Sequence, residues 1–231
     1  MLRFALLCLL MSASIGLRAA PKVEDSIAQR VQACTGCHGA QGRAASDGYQ
    51  PRIAGKPAGY LYHQLLNFRD GRRKYLPMVR LIDPLSDAYL QEMAAHFASL
   101  DLPYPAPQAA TASAETLRRG EGLALRGDST RRIPACVQCH GPALTGLAPA
   151  IPGLLGLPRD YLNAQLGAWQ TGNRRAQSPD CMAQIAKLLS ADDVAALSQW
   201  LAAQPLPSNT KAVSVLPAPL PLPCGGVEAQ R

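Results

Sequence analysis

The sequence predicts an all-α protein built from two tandem helical modules. Apolar residues recur at helical spacing along most of the chain, and no convincing run of alternating apolar and polar residues marks a strand. Two stretches match each other position by position, and each copy carries one C-x-x-C-H motif. These observations together predict a duplicated helical module.

The N-terminal segment has the pattern of a cleaved secretory signal. Arg3 gives a positive start, residues 4–17 form an apolar run, and small residues follow at Ala19 and Ala20. The apolar run is shorter than a membrane span requires. We therefore predict a signal peptide over residues 1–19 and export of the rest of the chain.

The repeat is clearest in the pattern P-x-[IL]-x-G-x-P-x-x-Y-L, which occurs at residues 51–61 and again at residues 152–162. The match continues in step beyond both segments. The matching pairs are Gln64 and Gln165, Leu65 and Leu166, Phe68 and Trp169, Gly71 and Gly172, and Arg73 and Arg174. Chance does not produce such a series, so the modules are duplicates.

Each module is predicted to have an opening, a middle and a last helix. The opening helix of module one carries Ile27, Val31 and Cys34 on one side. In module two the opening helix contains Gly120 and Gly122, which would allow another helix to approach closely. The middle helices show the same apolar spacing in both modules, at Leu61, Leu65 and Phe68 and at Leu162, Leu166 and Trp169.

Capping residues mark the ends of these helices. Gly71 and Gly172 are predicted to end the middle helices, and Ser86 and Ser190 to begin the last ones. Acidic residues follow both serines, which favours the positive end of a helix dipole.

Composition divides the chain into modules, a linker and a tail. We predict domain 1 at residues 20–101, a Pro/Ala-rich extended linker at residues 102–113, domain 2 at residues 114–205 and a Pro-rich tail at residues 206–231. The formal charge is +7, but the basic residues are spread over both halves. We therefore expect no nucleic-acid partner.

The C-x-x-C-H motif is typical of covalent haem c attachment. Two thiols add across the vinyl groups of one haem, and the histidine that follows ligates the iron. A redox pair or half of a zinc site is the alternative, but neither copy has a second Cys/His pair nearby. We therefore predict two covalently bound haem c groups. The residues are Cys34, Cys37 and His38 in module one, and Cys136, Cys139 and His140 in module two.

One methionine occupies the same place in each repeat. Met78 precedes Leu85 by seven residues, and Met182 precedes Leu189 by seven, in the loop between the middle and last helices. Both are candidate sixth ligands of iron. A core-filling role is the alternative for each methionine, and Cys181 is a rival ligand in module two. His63 and His96 have no histidine counterpart in the other module and are predicted to be surface groups or groups that support the ligands. Met93 lies on the apolar face of the last helix of module one and is predicted to fill the core, so we expect none of the three to ligate iron.

Two cysteines remain after the haem motifs and the signal segment are set aside. Cys181 and Cys224 form an even pair in an oxidising compartment. We predict that they form a disulfide, which would hold the tail near the second methionine.

The chain resembles the dihaem cytochrome c4 family over about residues 26–204. The resemblance rests on CTGCHG and CVQCHG, the two proline–glycine–tyrosine segments, GNR at residues 172–174 and MVRLIDPLSD at residues 78–87. It implies two tandem class I cytochrome c domains related by pseudo-two-fold symmetry. It also implies axial ligation by His38 with Met78 and by His140 with Met182.

The family implies a periplasmic carrier of single electrons between respiratory donors and an acceptor such as a terminal oxidase. Such carriers are often associated with the membrane. One alternative is an electron-transfer subunit of a dehydrogenase complex. Another is a dihaem enzyme resembling thiosulfate dehydrogenase, which would require Cys181 to ligate iron. The basic clusters are predicted to be solvated surface or partners of haem propionates.

Overall fold

The computed structural model describes residues 24–45 and 48–227, and the predicted signal segment lies outside them. Module one contains α1 (Ile27–Arg30), α2 (Gln32–His38), a 3-10 turn (Ala40–Gly42), α3 (Ala58–Arg69), α4 (Leu76–Ile82) and α5 (Asp87–Ser99). Module two contains α6 (Ala114–Leu125), α7 (Val137–His140), β1 (Gly146–Leu147), β2 (Ile151–Pro152), α8 (Arg159–Gln170), α9 (Cys181–Leu188) and α10 (Ala191–Ala203).

The predicted helical repeat is confirmed, with local differences in both modules. The opening helix of module one is broken at Val31, whose φ of −90° and ψ of 2° leave the helical region. Met78 and Met182 lie on the short helices α4 and α9 rather than in loops. Pro77 in the first turn favours α4. The Asp180 side chain accepts a hydrogen bond from the Ala183 amide at 3.0 Å, which caps α9.

A small antiparallel pair of strands was missed by the sequence prediction. β1 and β2 have two residues each, with Gly146 opposite Pro152 and Leu147 opposite Ile151. Strands of this length contain too few positions for an alternating pattern to appear in the sequence.

The predicted helix ends are confirmed. Gly71 and Gly172 follow α3 and α8 with φ of 72° and 73°, in the left-handed region that glycine adopts without strain. Ser86 Oγ accepts from the Tyr89 amide at 3.3 Å, and Ser190 Oγ accepts from the Asp193 amide at 3.1 Å. These caps fix where α5 and α10 begin.

Each module packs its helices around an apolar core. In module one, α3 and α5 bring together Leu61, Phe68 and Leu90. In module two, α6 crosses α10 so closely that a Cβ atom at Gly120 would collide with the backbone of Ala196, which confirms the predicted close crossing at that glycine. At Gly122 only the flexible end of the Arg126 side chain would be near.

The linker at residues 102–113 is extended and contacts both modules. Arg52 of module one donates to the carbonyls of Leu102 and Pro103 and stacks over the Tyr104 ring at 4.0 Å. On the other side, the Gln108 amide donates to the Ala202 carbonyl at 2.9 Å. Within the described part of the chain, no helix has the length and apolar character to cross a bilayer.

Asp193, which has no exposed side-chain area, joins α6, α10 and the loop before α7. Its carboxylate accepts from Arg119 Nε at 2.9 Å and from Arg131 Nη1 at 2.6 Å, and it forms a capping box with Ser190. Burial raises the pKa of Asp193, but hydrogen bonds from Arg131, Ser190 and Arg119 outweigh it and hold this pKa well below its usual range.

Asp193→Asn should lower the free energy of unfolding of the holoprotein by about 2 kcal/mol near neutral pH, because two arginines lose a charged acceptor. The folded-state pKa of Asp193 is depressed below 3.8. The wild-type contribution is therefore complete above that value and is lost as the pH falls through the folded-state pKa. Urea unfolding near neutral pH and at acid pH should show that the difference in free energy of unfolding between variant and wild type becomes smaller in acid. Asp192→Asn, at an exposed residue, is the matched control and should change this free energy little. A difference in free energy of unfolding that does not depend on pH would contradict the account.

Candidate cofactor sites and the module interface

Both C-x-x-C-H motifs lie at the ends of short helices and face the same cavity. Residues 34–38 form part of α2, and residues 137–140 form α7. The cavity has a volume of about 860 Å³, is continuous across the two modules, and is within the size range of cofactor pockets. The predicted site residues that line it are Cys34, Cys37, His38, Met78, Cys136, Cys139, His140, Met182, Cys181 and Cys224.

The two histidines are oriented in the same way. His38 Nδ1 lies 2.8 Å from the carbonyl oxygen of Pro51, and His140 Nδ1 lies 2.7 Å from that of Pro152. A carbonyl only accepts, so Nδ1 carries the proton and Nε2 keeps the lone pair that a metal needs. Burial lowers the pKa of both histidines, which favours the neutral ring.

Both candidate methionines lie on the wall of this cavity, Met78 on α4 and Met182 on α9. Cys181 lies beside Met182 but is joined to Cys224 in a disulfide. A sulfur in a disulfide is not a thiolate, so the structure does not support Cys181 as a rival iron ligand.

The remaining candidates have no equivalent histidine or methionine in module two. Met93 also lines the cavity but is buried among the apolar core side chains of module one, and the His96 ring packs edge-on against Phe97 at 5.3 Å. His63 lines the cavity and lies against Gly226 of the tail. His63 and His96 are thus half-buried groups without an equivalent in module two.

The two modules meet at a crossed pair of arginines. Arg73 donates to Gln64 Oε1 at 3.0 Å in its own module and to Gln165 Oε1 at 2.9 Å in the other. Arg174 mirrors it, donating to Gln165 Oε1 at 2.7 Å and to Gln64 Oε1 at 3.1 Å. A backbone bridge between Arg73 and Arg174 lies beside these contacts. The two arginines therefore make equivalent contacts, as expected for two modules related by pseudo-two-fold symmetry.

Each arginine also stacks on an aromatic ring of its own module. The guanidinium carbon of Arg73 lies 4.3 Å from the centre of the Phe68 ring, and that of Arg174 lies 3.8 Å from the Trp169 ring. A cation over an aromatic face is stabilised without a counter-charge. Phe68 and Trp169 are equivalent in the repeat, so the stacking is duplicated with the rest of the interface.

The interface is electropositive. Burial, with a smaller contribution from the neighbouring Arg174, lowers the pKa of Arg73 to about 10. Burial and nearby Arg52 lower the pKa of Lys56 to about 8. Lys56 Nζ reaches across the interface to the Gly153 carbonyl at 3.1 Å. Among the described residues, no ion pair joins Lys56, Arg73 or Arg174 to a carboxylate.

These features fit a haem in each module. Trp169 Nε1 is buried, has no hydrogen-bond partner among the described residues, and belongs to a side chain that lines the cavity. A haem propionate would offer this N–H an acceptor and would balance the buried arginines. The apolar remainder of the cavity wall suits the porphyrin face, and the paired cysteines suit its vinyl groups.

Comparison with known proteins identifies the family. No family model matches the chain. The thiosulfate dehydrogenase electron acceptor of Thiomonas intermedia is 38% identical over 199 residues, which span 85% of this chain and 89% of that protein. Cytochrome c4 of Pseudomonas aeruginosa is 34% identical over 170 residues, spanning 73% and 82% of the two chains. The chain belongs to the cytochrome c4 family.

A solved structure supports the same assignment. Reduced recombinant cytochrome c4 from Pseudomonas stutzeri matches with a TM-score of 0.66 at 30% identity, covering 77% of this chain and 96% of that one. As a member of the cytochrome c4 family, the chain has class I cytochrome c modules, uses haem c and carries electrons rather than acting as an enzyme.

Sequence reasoning missed part of the site. Gln64, Gln165 and the two arginines were visible as matched positions, but nothing in the repeat indicated that they cross between modules. Lys56 was overlooked, although it occupies the place where module two has Leu157. The mismatch between the charged Lys56 and the apolar Leu157, in segments that otherwise match, could have indicated a special role for this lysine.

Proposed function

We propose that this chain is a periplasmic dihaem electron carrier with one covalently attached haem c in each module. The modules comprise residues 20–101 and 114–205. The observation that carries the proposal is the single cavity lined by two equivalent sets of cysteines, histidine and methionine. The predicted signal segment, residues 1–19, supports export to the compartment where haem c is attached.

In this proposal each side chain has a defined task. Cys34 and Cys37 hold one haem, and Cys136 and Cys139 hold the other. The Pro51 and Pro152 carbonyls hold Nδ1 of His38 and of His140, which leaves Nε2 of each ring free to bind a haem iron. Bound haem would supply a one-electron couple. Met78 and Met182 would be the second protein ligands of the irons, would exclude water and small ligands and would favour the reduced state.

The interface residues serve both modules at once. Arg73 and Arg174 would neutralise propionates of a haem bound in either module, and the Trp169 N–H would donate to one of these propionates. The cavity is lined by residues of both modules, including the interface side chains of Gln64, Arg73, Gln165 and Arg174. The arrangement supports exchange of electrons between the modules as well as with a docked protein.

Met78→Ala and Met182→Ala should each open one iron while both haems stay attached. We expect each variant to lose half of the methionine–iron charge-transfer band of the ferric protein and to bind one equivalent of CO when reduced. Absorption spectroscopy and CO titration measure both effects. Met93→Ala is the control, because Met93 packs in the core and should leave the band intact. CO binding by the wild type would contradict ligation by both methionines.

The electron donor is the second part of the proposal. The Thiomonas intermedia protein, by its name, accepts electrons from thiosulfate dehydrogenase, and its match to this chain is longer and more identical than that of the Pseudomonas aeruginosa cytochrome c4. We infer that a periplasmic thiosulfate dehydrogenase reduces this chain and that a terminal oxidase or another respiratory acceptor oxidises it.

Mixing the ferric holoprotein with purified thiosulfate dehydrogenase and thiosulfate should reduce both haems. Stopped-flow spectroscopy follows the reaction, and omission of thiosulfate or of the enzyme is the control. Reduction no faster than in the absence of the enzyme would reject this donor and leave the general role of electron carrier standing.

A further inference from the structure

The Pro-rich tail is fixed to module two at three places. The Val213 amide donates to the Gly146 carbonyl at 3.0 Å, and the Ala148 amide donates to the Val213 carbonyl at 2.8 Å. Leu216 is 7% exposed and packs into the module. Near the end of the described chain, Cys224 is bonded to Cys181 at the start of α9.

The tail covers the haem-attachment side of module two. Cys139 is only 9% exposed and belongs to an apolar cluster with Leu147, Ile151 and the tail residue Leu216. Val213, Leu220 and Val227, also from the tail, pack against this cluster. The equivalent Cys37 of module one is exposed.

The methionine side of the two modules differs in the same way. In module two, the disulfide holds the tail against the first turn of α9, and the Gly225 amide donates to the Pro179 carbonyl at 2.9 Å. In module one, the equivalent helix α4 leaves Leu76 57% exposed and Leu81 40% exposed, whereas the exposed leucine of α9, Leu188 at 38%, lies at the end of that helix opposite the disulfide. Tyr49, which lines the cavity, is also exposed.

We propose that residues 206–227 close module two to partner proteins and that redox partners dock on module one, at an open face formed by Cys37, Tyr49, Leu76 and Leu81. The inference rests on the proposed presence of a haem in each module. The occupant we infer is another electron-transfer protein with an apolar contact face.

The chemistry of that occupant follows from the tail itself. On module two, the side chains of Val213, Leu216 and Leu220 already cover the attachment side. The open face of module one offers exposed apolar side chains, and no segment within residues 24–45 and 48–227 forms such a cover over it. Burial of apolar surface is favourable, and on module two the tail already buries the apolar side chains of the attachment side. A partner with an apolar patch would bury the exposed apolar side chains of module one and be stabilised in the same way.

The first experiment measures access to each haem. The ferric holoprotein is titrated with an uncharged gadolinium chelate, and broadening of the NMR signals of each haem is followed. Signals of the two haems are assigned with Met78→Ala and Met182→Ala. In the wild type, the signals of the module-one haem should broaden and those of the module-two haem should not.

Adjacent tail residues provide a matched pair of variants. Leu216→Asp places a charge in the buried cluster and should release the tail, so that module-two signals broaden as much as those of module one. Val215→Asp makes the same change at a side chain that is 70% exposed and should have no effect. Cys224→Ser, which removes only the disulfide, is the milder variant if Leu216→Asp fails to fold. Equal broadening of both haems in the wild type would overturn the proposal.

The second experiment tests the open face with a second copy of the chain as the redox probe. Electron self-exchange between oxidised and reduced holoprotein is measured by NMR exchange spectroscopy. Leu81→Asp should slow it about tenfold, since a charge replaces an apolar contact. Leu125→Asp introduces the same charge at an exposed leucine of α6, outside the open face, and should not slow self-exchange. Equal rates in the two variants would overturn the docking face.

These outcomes separate the inference from the proposed function. A protein that shows only one set of haem signals, or none, fails the dihaem proposal itself. A protein with two sets that broaden equally keeps the dihaem proposal and loses the role of the tail.

Discussion

The pairing of the two modules depends on two arginines that lie side by side at the pseudo-two-fold axis, Arg174 buried and Arg73 half-buried. Arg73 and Arg174 repel each other, and the repulsion is offset by the shared oxygens of Gln64 and Gln165 and by an aromatic ring beneath each guanidinium. Because each arginine bonds to both glutamines, neither module completes this network alone. Under the proposed function, haem propionates would supply the missing negative charge, and haem binding and module pairing would then depend on the same side chains.

The duplicated frame is symmetric, but its surroundings are not. The buried ammonium group of Lys56, in module one, donates to the Gly153 carbonyl, next to the Pro152 carbonyl that orients His140. The equivalent residue in module two, Leu157, carries no charge. The tail covers the attachment side of module two, and its contacts with module one are limited to places such as Gly226 against His63 and Lys211 with Asp101. Two haems in equivalent pockets would therefore differ in electrostatic environment and in access. Differences in electrostatic environment and in access would allow one haem to receive electrons from a donor and the other to pass them to an acceptor.

Much of the fold could be predicted because its determinants are local. Helical spacing, glycine ends and serine caps depend on neighbours along the chain, and Ser190 and Gly172 behave as expected. The strands at residues 146–147 and 151–152 are too short to leave a pattern, and the tail pairs with them only in three dimensions. For the site, repeated positions identified the cysteines, histidines and methionines. The crossing of Arg73 to Gln165 depends on how the modules dock, which no single-module pattern encodes.

The central claim is that each module presents its histidine and methionine to an iron of its own within one continuous cavity. Anomalous diffraction at the iron edge from crystals of the holoprotein tests it most directly. The account predicts two iron peaks per chain, one between His38 and Met78 and the other between His140 and Met182, with the propionates directed at Arg73 and Arg174. A single iron peak, or an iron whose sixth ligand is not the methionine of its own module, would contradict it.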